Sequence, residues 1–337
     1  MARNGDNAFM SERASTVLEM LWEQDAPEDV LRARFGFDDV EAASAWVIRH
    51  VENLWGIDVE ACGRIVMSAH NALAWLDTES GPMLLKWSIA AEAFPRLAAT
   101  AELTNWLARR GVPVSTQVPA LDGRIQIETD GVSMGLQRKI DGELLNVSDP
   151  AQVFAAGAAL ARLHDALRDY PAAERILGVA APRPLAERVA GWLDSSPQQV
   201  PAAARETLRR LVERAGASPL PTQLIHGDFR AANVLYAGTD VAAILDLEEV
   251  CIDHPIMDVA RSAVMLGTVF RDWGPVPQAV RVQFRAGYES ERPLSAAEAS
   301  WWDALVLWWS LALIPAGDDP TGWCAAAMSQ LVHREEV

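Results

Sequence analysis

Residues 226–248 hold the densest set of groups able to do chemistry. They read His226-Gly-Asp228, then Asn233 five positions after Asp228, then Asp246-Leu-Glu248. Moving a phosphoryl group from a nucleotide needs mainly positioning and charge neutralisation. It calls for a carboxylate to orient the attacking hydroxyl, oxygen ligands for Mg²⁺, and a cation on the nucleotide phosphates. This segment supplies the first two. An Asn amide oxygen and two carboxylates, here Asn233, Asp246 and Glu248, are hard ligands suited to Mg²⁺. Asp228 is then left to accept the hydroxyl proton. Glu249 and Asp253 crowd the same region, and so many like charges repel unless a cation is bound.

Short β runs at Leu224-Ile225 and from Val241 to Asp246 flank the segment, and a hairpin between them brings Asp246 beside Asn233. Upstream, residues 11–24 and 40–55 read as helices, the second with Trp46, Val47, Val51, Leu54 and Trp55 at helical spacing and Gly56 as its stop. Strand texture begins near Cys62. Ala72–Leu76 and Met83–Trp87 around a Gly-containing turn predict a hairpin. A helix is expected over 90–110, closed by Gly111, and Val112-Pro-Val is extended. Ile125–Glu128 and Val132–Ile140 predict a second antiparallel pair, turned at Asp130-Gly131. From there the chain becomes helical: 150–168 strongly, then a proline-punctuated region to about 216, then 257–334. The order is α+β: a helical extension (1–60), a small antiparallel-sheet lobe (61–140) and a larger helical lobe (141–337), joined near 138–142.

His226-Gly-Asp228, Asn233 and Asp246-Leu-Glu248, followed by Asp258-Val-Ala260, resemble the signature of the aminoglycoside phosphotransferase and choline kinase superfamily. The resemblance spans roughly residues 62–310. It implies a bilobal, protein-kinase-like fold, ATP or GTP as phosphate donor, Mg²⁺, and a small-molecule acceptor. It further implies that Arg230 touches the transferred phosphate and that Lys86 binds the α/β-phosphates. Glu102 would partner Lys86, with Glu92 as runner-up. By the same likeness His70 and Asn71 form the short turn over the phosphates. Gln137 to Ile140, including Lys139, form an interlobe hinge whose backbone reads the base. His226 would brace the loop and His164 would be a packing residue. A protein kinase is disfavoured, because the loop reads HGD, no GxGxxG loop occurs, and no activation segment separates Asp246 from Asp258.

The composition narrows the partners. A net charge of −17 argues against nucleic acid. Lys86 and Lys139 are the only two lysines, so Lys86 on an apolar strand calls for an explanation. Three cysteines without a CxxC pair read as free thiols of a reducing compartment. Met1 to Asn7 has no apolar signal region, and Ala304–Ala316 is too short to span a bilayer, so a cytoplasmic protein is expected. For the acceptor, Asp253, Asp272, Asp303, Asp318 and Asp319 suggest an amine-bearing antibiotic of the aminoglycoside type. Trp301-Trp302 and Trp308-Trp309 would supply core or a stacking surface. Homoserine, a sugar or an amino alcohol is the alternative acceptor, and a nucleotide-binding pseudokinase is the alternative class.

Overall fold

Capping residues set many of the element boundaries in the computed structural model, which describes residues 15–176, 182–195, 199–270 and 273–335. In chain order the elements are β1 (Val17–Met20), α1 (Pro27–Phe35), α2 (Val40–Trp55), β2 (Val59–Met67), β3 (Asn71–Thr78), β4 (Met83–Ser88), α3 (Phe94–Arg109), β5 (Ile127–Thr129) and β6 (Val132–Arg138). There follow β7 (Glu143–Leu144), α4 (Pro150–Arg168), α5 (Ala173–Ile176), α6 (Leu185–Ser195), α7 (Ala202–Ala215), β8 (Gln223–Ile225), β9 (Val234–Ala237), β10 (Asp240–Ile244) and β11 (Cys251–Asp253). Four helices complete the chain: α8 (Pro255–Met265), α9 (Gln278–Glu291), α10 (Ala296–Ala312) and α11 (Trp323–Glu335). These elements fall into two compact units, the first comprising the chain up to Phe94 and Gln117–Lys139, the second Pro95–Thr116 and Ile140 onward.

The first unit is built on a six-stranded sheet in the order β1-β2-β3-β4-β6-β5. Both expected hairpins are present. The turn between β5 and β6 places Asp130 and Gly131 at φ 49° and 77°, the two positive values that a tight hairpin turn requires. Helix α2 starts on Asp39, whose side chain accepts from the Ala42 N–H at 2.7 Å, and stops at Gly56 in the left-handed region. Its buried stripe, Val47, Val51 and Trp55, shares one core with Leu85, Trp87 and Met134 of the sheet. Side chains of this size contribute about 1.5–3 kcal/mol each on full burial. Residues 15–60, set apart above as an extension, thus pack into the same core as the sheet.

The expected helix over 11–24 is corrected. Its first residues lie outside the described ones, and Val17–Met20 is a strand that pairs in parallel with Arg64–Met67. The Thr16 hydroxyl donates to the Cys62 carbonyl at 2.7 Å and the Leu21 N–H to that of Met67 at 2.8 Å. A partner strand far along the chain decides this conformation, which local periodicity cannot report.

The second unit is mainly helical. Its two apolar clusters are one around α3, α4, α8 and α9 and another around α6, α7, α8, α10 and α11. Helices α4 and α9 approach backbone to backbone. A Cβ on Gly157 would stand 2.0 Å from the Phe284 carbonyl oxygen, and one on Gly287 would stand 2.0 Å from that of Phe154. A capping box of Ser295 and Glu298 opens α10. Small sheets (β10-β9-β7 and β11-β8) carry the loop described next.

Candidate active site

Strand β8 delivers the chain into His226, and the loop from there to Asn233 is held from below by Asp258. This carboxylate, fully buried at the start of α8, accepts from the N–H groups of His226 (2.9 Å) and Gly227 (3.2 Å) and lies 3.0 Å from Nε2 of His164. Burial opposes its charge. The His164 hydrogen bond, with the charges of His164, His226 and Arg261, still holds Asp258 below the usual carboxylate range. Gly227 has φ 82°, and a Cβ there would sit 2.4 Å from the Glu249 carbonyl oxygen, so the position demands glycine on both counts.

His226 is buried, and burial pushes its pKa down against the raising influence of Asp258, Asp246 and Asp228. Its Nδ1 accepts from the Asp228 N–H at 3.2 Å, so in the neutral ring Nε2 carries the proton, donated to the Leu245 carbonyl at 3.1 Å. The ring thereby ties the loop to the end of β10, which is what a brace does.

Asp228 receives three donors. Its Oδ2 accepts from Arg230 Nε at 2.9 Å and Asn233 Nδ2 at 3.0 Å, and its Oδ1 accepts from an Arg261 guanidinium nitrogen at 3.3 Å. Asn233 Nδ2 also donates to the Asp228 carbonyl at 2.8 Å. The Asn233 amide nitrogen is thus committed to Asp228 through both of these contacts. The hairpin that approaches Asp246 is formed by β9 and β10, whereas the expected run Leu224-Ile225 pairs with β11 instead. Val234 pairs with Ile244, and the Leu245 N–H donates to the Asn233 carbonyl at 2.8 Å, so the backbone runs directly from Asn233's partner into Asp246.

Asp246 is one of two non-glycine residues with positive φ among the described residues, at φ 57° and ψ 71°, and it is exposed. Asp130 is explained by its hairpin turn; Asp246 lies two residues beyond β10, at the head of a 3₁₀ turn, and has no such explanation. Strained backbone of this kind costs on the order of 1–3 kcal/mol and gathers at functional sites. The 3₁₀ turn after it, Leu247–Glu249, is pinned by Arg96 of α3. The Arg96 guanidinium donates to the carbonyl of Glu248, including from Nε at 2.8 Å, and to that of Val250 at 3.0 Å. Glu248 itself is half-buried. An amide oxygen, a carboxylate held in a strained turn and a second carboxylate suit a hard divalent cation.

The remaining expected residues are placed as follows. Lys86 lies mid-strand in β4, opposite Leu73 and Gly135, on the face opposite the buried Met83, Leu85 and Trp87. His70 is exposed in the β2–β3 turn, which the Ser68 N–H closes onto the Asn71 carbonyl at 2.8 Å. Gln137 is in β6, and Lys139 just beyond it is exposed, its N–H on the Pro82 carbonyl at 3.1 Å. Glu102 departs from expectation. Its carboxylate is engaged by Arg175 at 2.6 and 3.2 Å on a half-exposed surface of the second unit. Glu92 is exposed in the 3₁₀ turn Ala91–Ala93.

The acidic residues proposed for an amine-bearing acceptor are also dispersed. Asp253 is bound by Arg188, 2.8 Å to each oxygen. Asp319 caps α11 through the N–H groups of Gly322, Trp323 and Cys324. Asp303 and Asp318 are exposed, and Asp272 lies outside the described residues. Trp301 and Trp308 are core residues. Arg96, Arg188 and Arg261 were missed, since nothing local in the sequence marks which arginines fold onto the loop. The three cysteines are free thiols, and burial pushes that of Cys251 up to about 11. No described helix is long and apolar enough to cross a membrane.

The loop thus gathers Asp228, Asn233, Asp246 and Glu248 on one stretch of backbone. Residues 64–299 match the sequence profile of the phosphotransferase enzyme family, APH, and the chain belongs to that family. Its relatives include a homoserine kinase of Neisseria meningitidis, 28% identical over 211 residues, 59% of this chain and 64% of that protein. Another homoserine kinase, from Beijerinckia indica, is 28% identical over 242 residues, 70% of this chain and 73% of its own. A third, from Methylobacterium radiotolerans, is 33% identical over 199 residues, 59% of this chain and 61% of its own. The fold is similar to that of a spectinomycin phosphotransferase solved with ADP and spectinomycin, with TM-score 0.58 and 15% identity, covering 86% of this chain and 98% of that one. It is also similar to a microcompartment-associated aminopropanol kinase, with TM-score 0.54 and 19% identity, covering 86% and 94%.

Proposed function

We propose that the chain transfers the terminal phosphoryl group of ATP or GTP, with Mg²⁺, to the hydroxyl of a small acceptor. The observation that carries this reading is Asp228, fixed by three donors, one of them the side-chain amide of Asn233. Asp228 takes the acceptor hydroxyl as a hydrogen-bond donor and receives its proton. Asn233, Asp246 and Glu248 would hold Mg²⁺, which would supply charge neutralisation at the nucleotide phosphates. Lys86 is assigned to those phosphates, the His70-Asn71 turn to covering them, and the backbone from Gln137 to Lys139 to the base. Arg230, salt-bridged to Asp228, is assigned to the transferred group. Free thiols and a nucleotide donor fit a cytoplasmic setting.

For the acceptor, a small hydroxylated amino acid of the homoserine kind is favoured over an aminoglycoside. The relatives named above are homoserine kinases, and Asp253 and Asp319, candidates for holding a polyamine, are spent on Arg188 and on a helix cap.

A melting assay with nucleotide, with and without Mg²⁺, tests the reading together with release of ADP or GDP. Mg²⁺-dependent stabilisation should vanish in Asp246→Ala. It should persist in Asp228→Ala, which should no longer transfer phosphate. Nucleotide stabilisation without turnover of any amino-acid, sugar, amino-alcohol or antibiotic acceptor would make the chain a pseudokinase instead.

A further inference from the structure

Arg261, on α8, joins the orienting carboxylate to an aromatic wall. One of its guanidinium nitrogens donates to Asp228 Oδ1 at 3.3 Å, and the guanidinium carbon lies 5.3 Å above the Trp309 ring. Trp309 stacks on Trp308 with centroids 5.7 Å apart, and Arg188 lies over Trp308 at 5.9 Å. Within this group three buried donors have no hydrogen-bond partner among the described residues: Arg261 Nε, Trp308 Nε1 and Trp309 Nε1. An orphaned buried donor costs about 1–3 kcal/mol, so proteins keep few of them. Arginine and tryptophan side chains donate only, and what satisfies them must be an acceptor.

The charges agree. Arg188 is matched by Asp253, but Arg230 and Arg261 share the single carboxylate of Asp228. Two guanidinium groups thus gather at one carboxylate, with the charge of Arg261 also felt by the buried Asp258. A polyamine brought to Asp228 would meet guanidinium groups, whereas a carboxylate would meet a fork that matches its geometry.

We propose that Arg261, with the indole N–H of Trp309 and the wall formed by Trp308, is the subsite for a carboxylate carried by the acceptor. Arg261 touches Asp228 directly, so one short molecule spans from the orienting carboxylate to the subsite. The acceptor class is a hydroxy acid or hydroxy amino acid of a few carbons. This rests on the kinase reading for the role of Asp228, while the subsite can be tested without turnover.

The experiment measures binding to the full chain by calorimetry, using L-homoserine, 4-hydroxybutanoate and 3-aminopropan-1-ol, then kcat/KM for the same three with ATP and Mg²⁺. Both carboxylates should bind about 10- to 100-fold more tightly than the amino alcohol, the range set by hydrogen bonds to a charged group. Arg261→Gln should abolish that preference. Trp309→Phe, which keeps the ring and removes the N–H, should reduce it, and it serves as the second variant if Arg261→Gln melts early. Equal binding of the amino alcohol, no binding of either carboxylate, or a preference that survives both substitutions would overturn the subsite. A carboxylate preference without phosphoryl transfer upholds the subsite and removes the kinase reading. Transfer without the preference does the opposite.

Discussion

Replacing Gly227 by alanine separates a loop that merely prefers glycine from one that is wedged against its neighbour. Two costs combine. At φ 82° an alanine in left-handed backbone costs about 1–2 kcal/mol. Its Cβ, 2.4 Å from the Glu249 carbonyl oxygen, also requires a shift of roughly half an ångström or more, and overpacking of that kind costs about 1–3 kcal/mol. The strand cannot yield freely, because Arg96 holds the carbonyls on either side of Glu249 and Cys251 is paired with Ile225. We therefore expect Gly227→Ala to lose about 2–5 kcal/mol in urea unfolding. The displaced turn carries Glu248 and follows Asp246, and misplacing catalytic groups by such amounts lowers turnover by about 100-fold. Gly238→Ala is the control, with φ 66° and nothing within 4 Å of its Cβ. It should lose only about 1–2 kcal/mol and keep its turnover. Equal stability and equal turnover in the two variants would refute the wedge.

Three further outcomes are expected. Gly157→Ala and Gly287→Ala should each cost about 3 kcal/mol in thermal unfolding, because each new methyl would meet a backbone carbonyl of the facing helix; a loss below that of an exposed-helix substitution would show that α4 and α9 slide apart easily. At Asp246, glycine should leave the metal-free protein about 1 kcal/mol more stable than alanine does, since only alanine bears the left-handed strain, while both variants lose the Mg²⁺-dependent shift. His226 has a depressed pKa in the folded state, so the unfolded chain takes up its proton first on acidification. Its contribution is present above about pH 6.5, the unfolded value, and is lost as pH falls below it. Urea midpoints from pH 8 to 5 should therefore decline more steeply for the wild type than for His226→Gln.

Local signals read well. The Asp130-Gly131 turn, the hairpin that sets Leu245 on Asn233, helix α4 and the bracing role of His226 all follow from neighbours within about twenty residues. What stayed hidden involves partners far along the chain. Strand β1 needs Arg64–Met67, Arg96 reaches Glu248, Glu102 is taken by Arg175, and Asp253 by Arg188. A charged residue advertises that it will have a counter-ion, but its sequence position does not say which one. The acidic residues of the helical unit thus suggested a cation-binding pocket, whereas Asp253 holds an arginine and Asp319 caps the start of a helix.

Asp258 makes the loop dependent on helices beyond the one that carries it. The N–H groups of His226 and Gly227 find their acceptor only when the first turn of α8 is in place, and Asp258 is itself steadied by His164 of α4, which lies 2.8 Å from the Tyr288 hydroxyl of α9. Tyr288 in turn meets Arg292, and Arg292 meets Glu298 in the capping box of α10. This relay runs from the loop through four helices with no gap. The shape of the loop therefore depends on side chains from all four helices. Damage far from the loop, at Arg292 or Glu298, can thus reach Asp228 through hydrogen bonds alone.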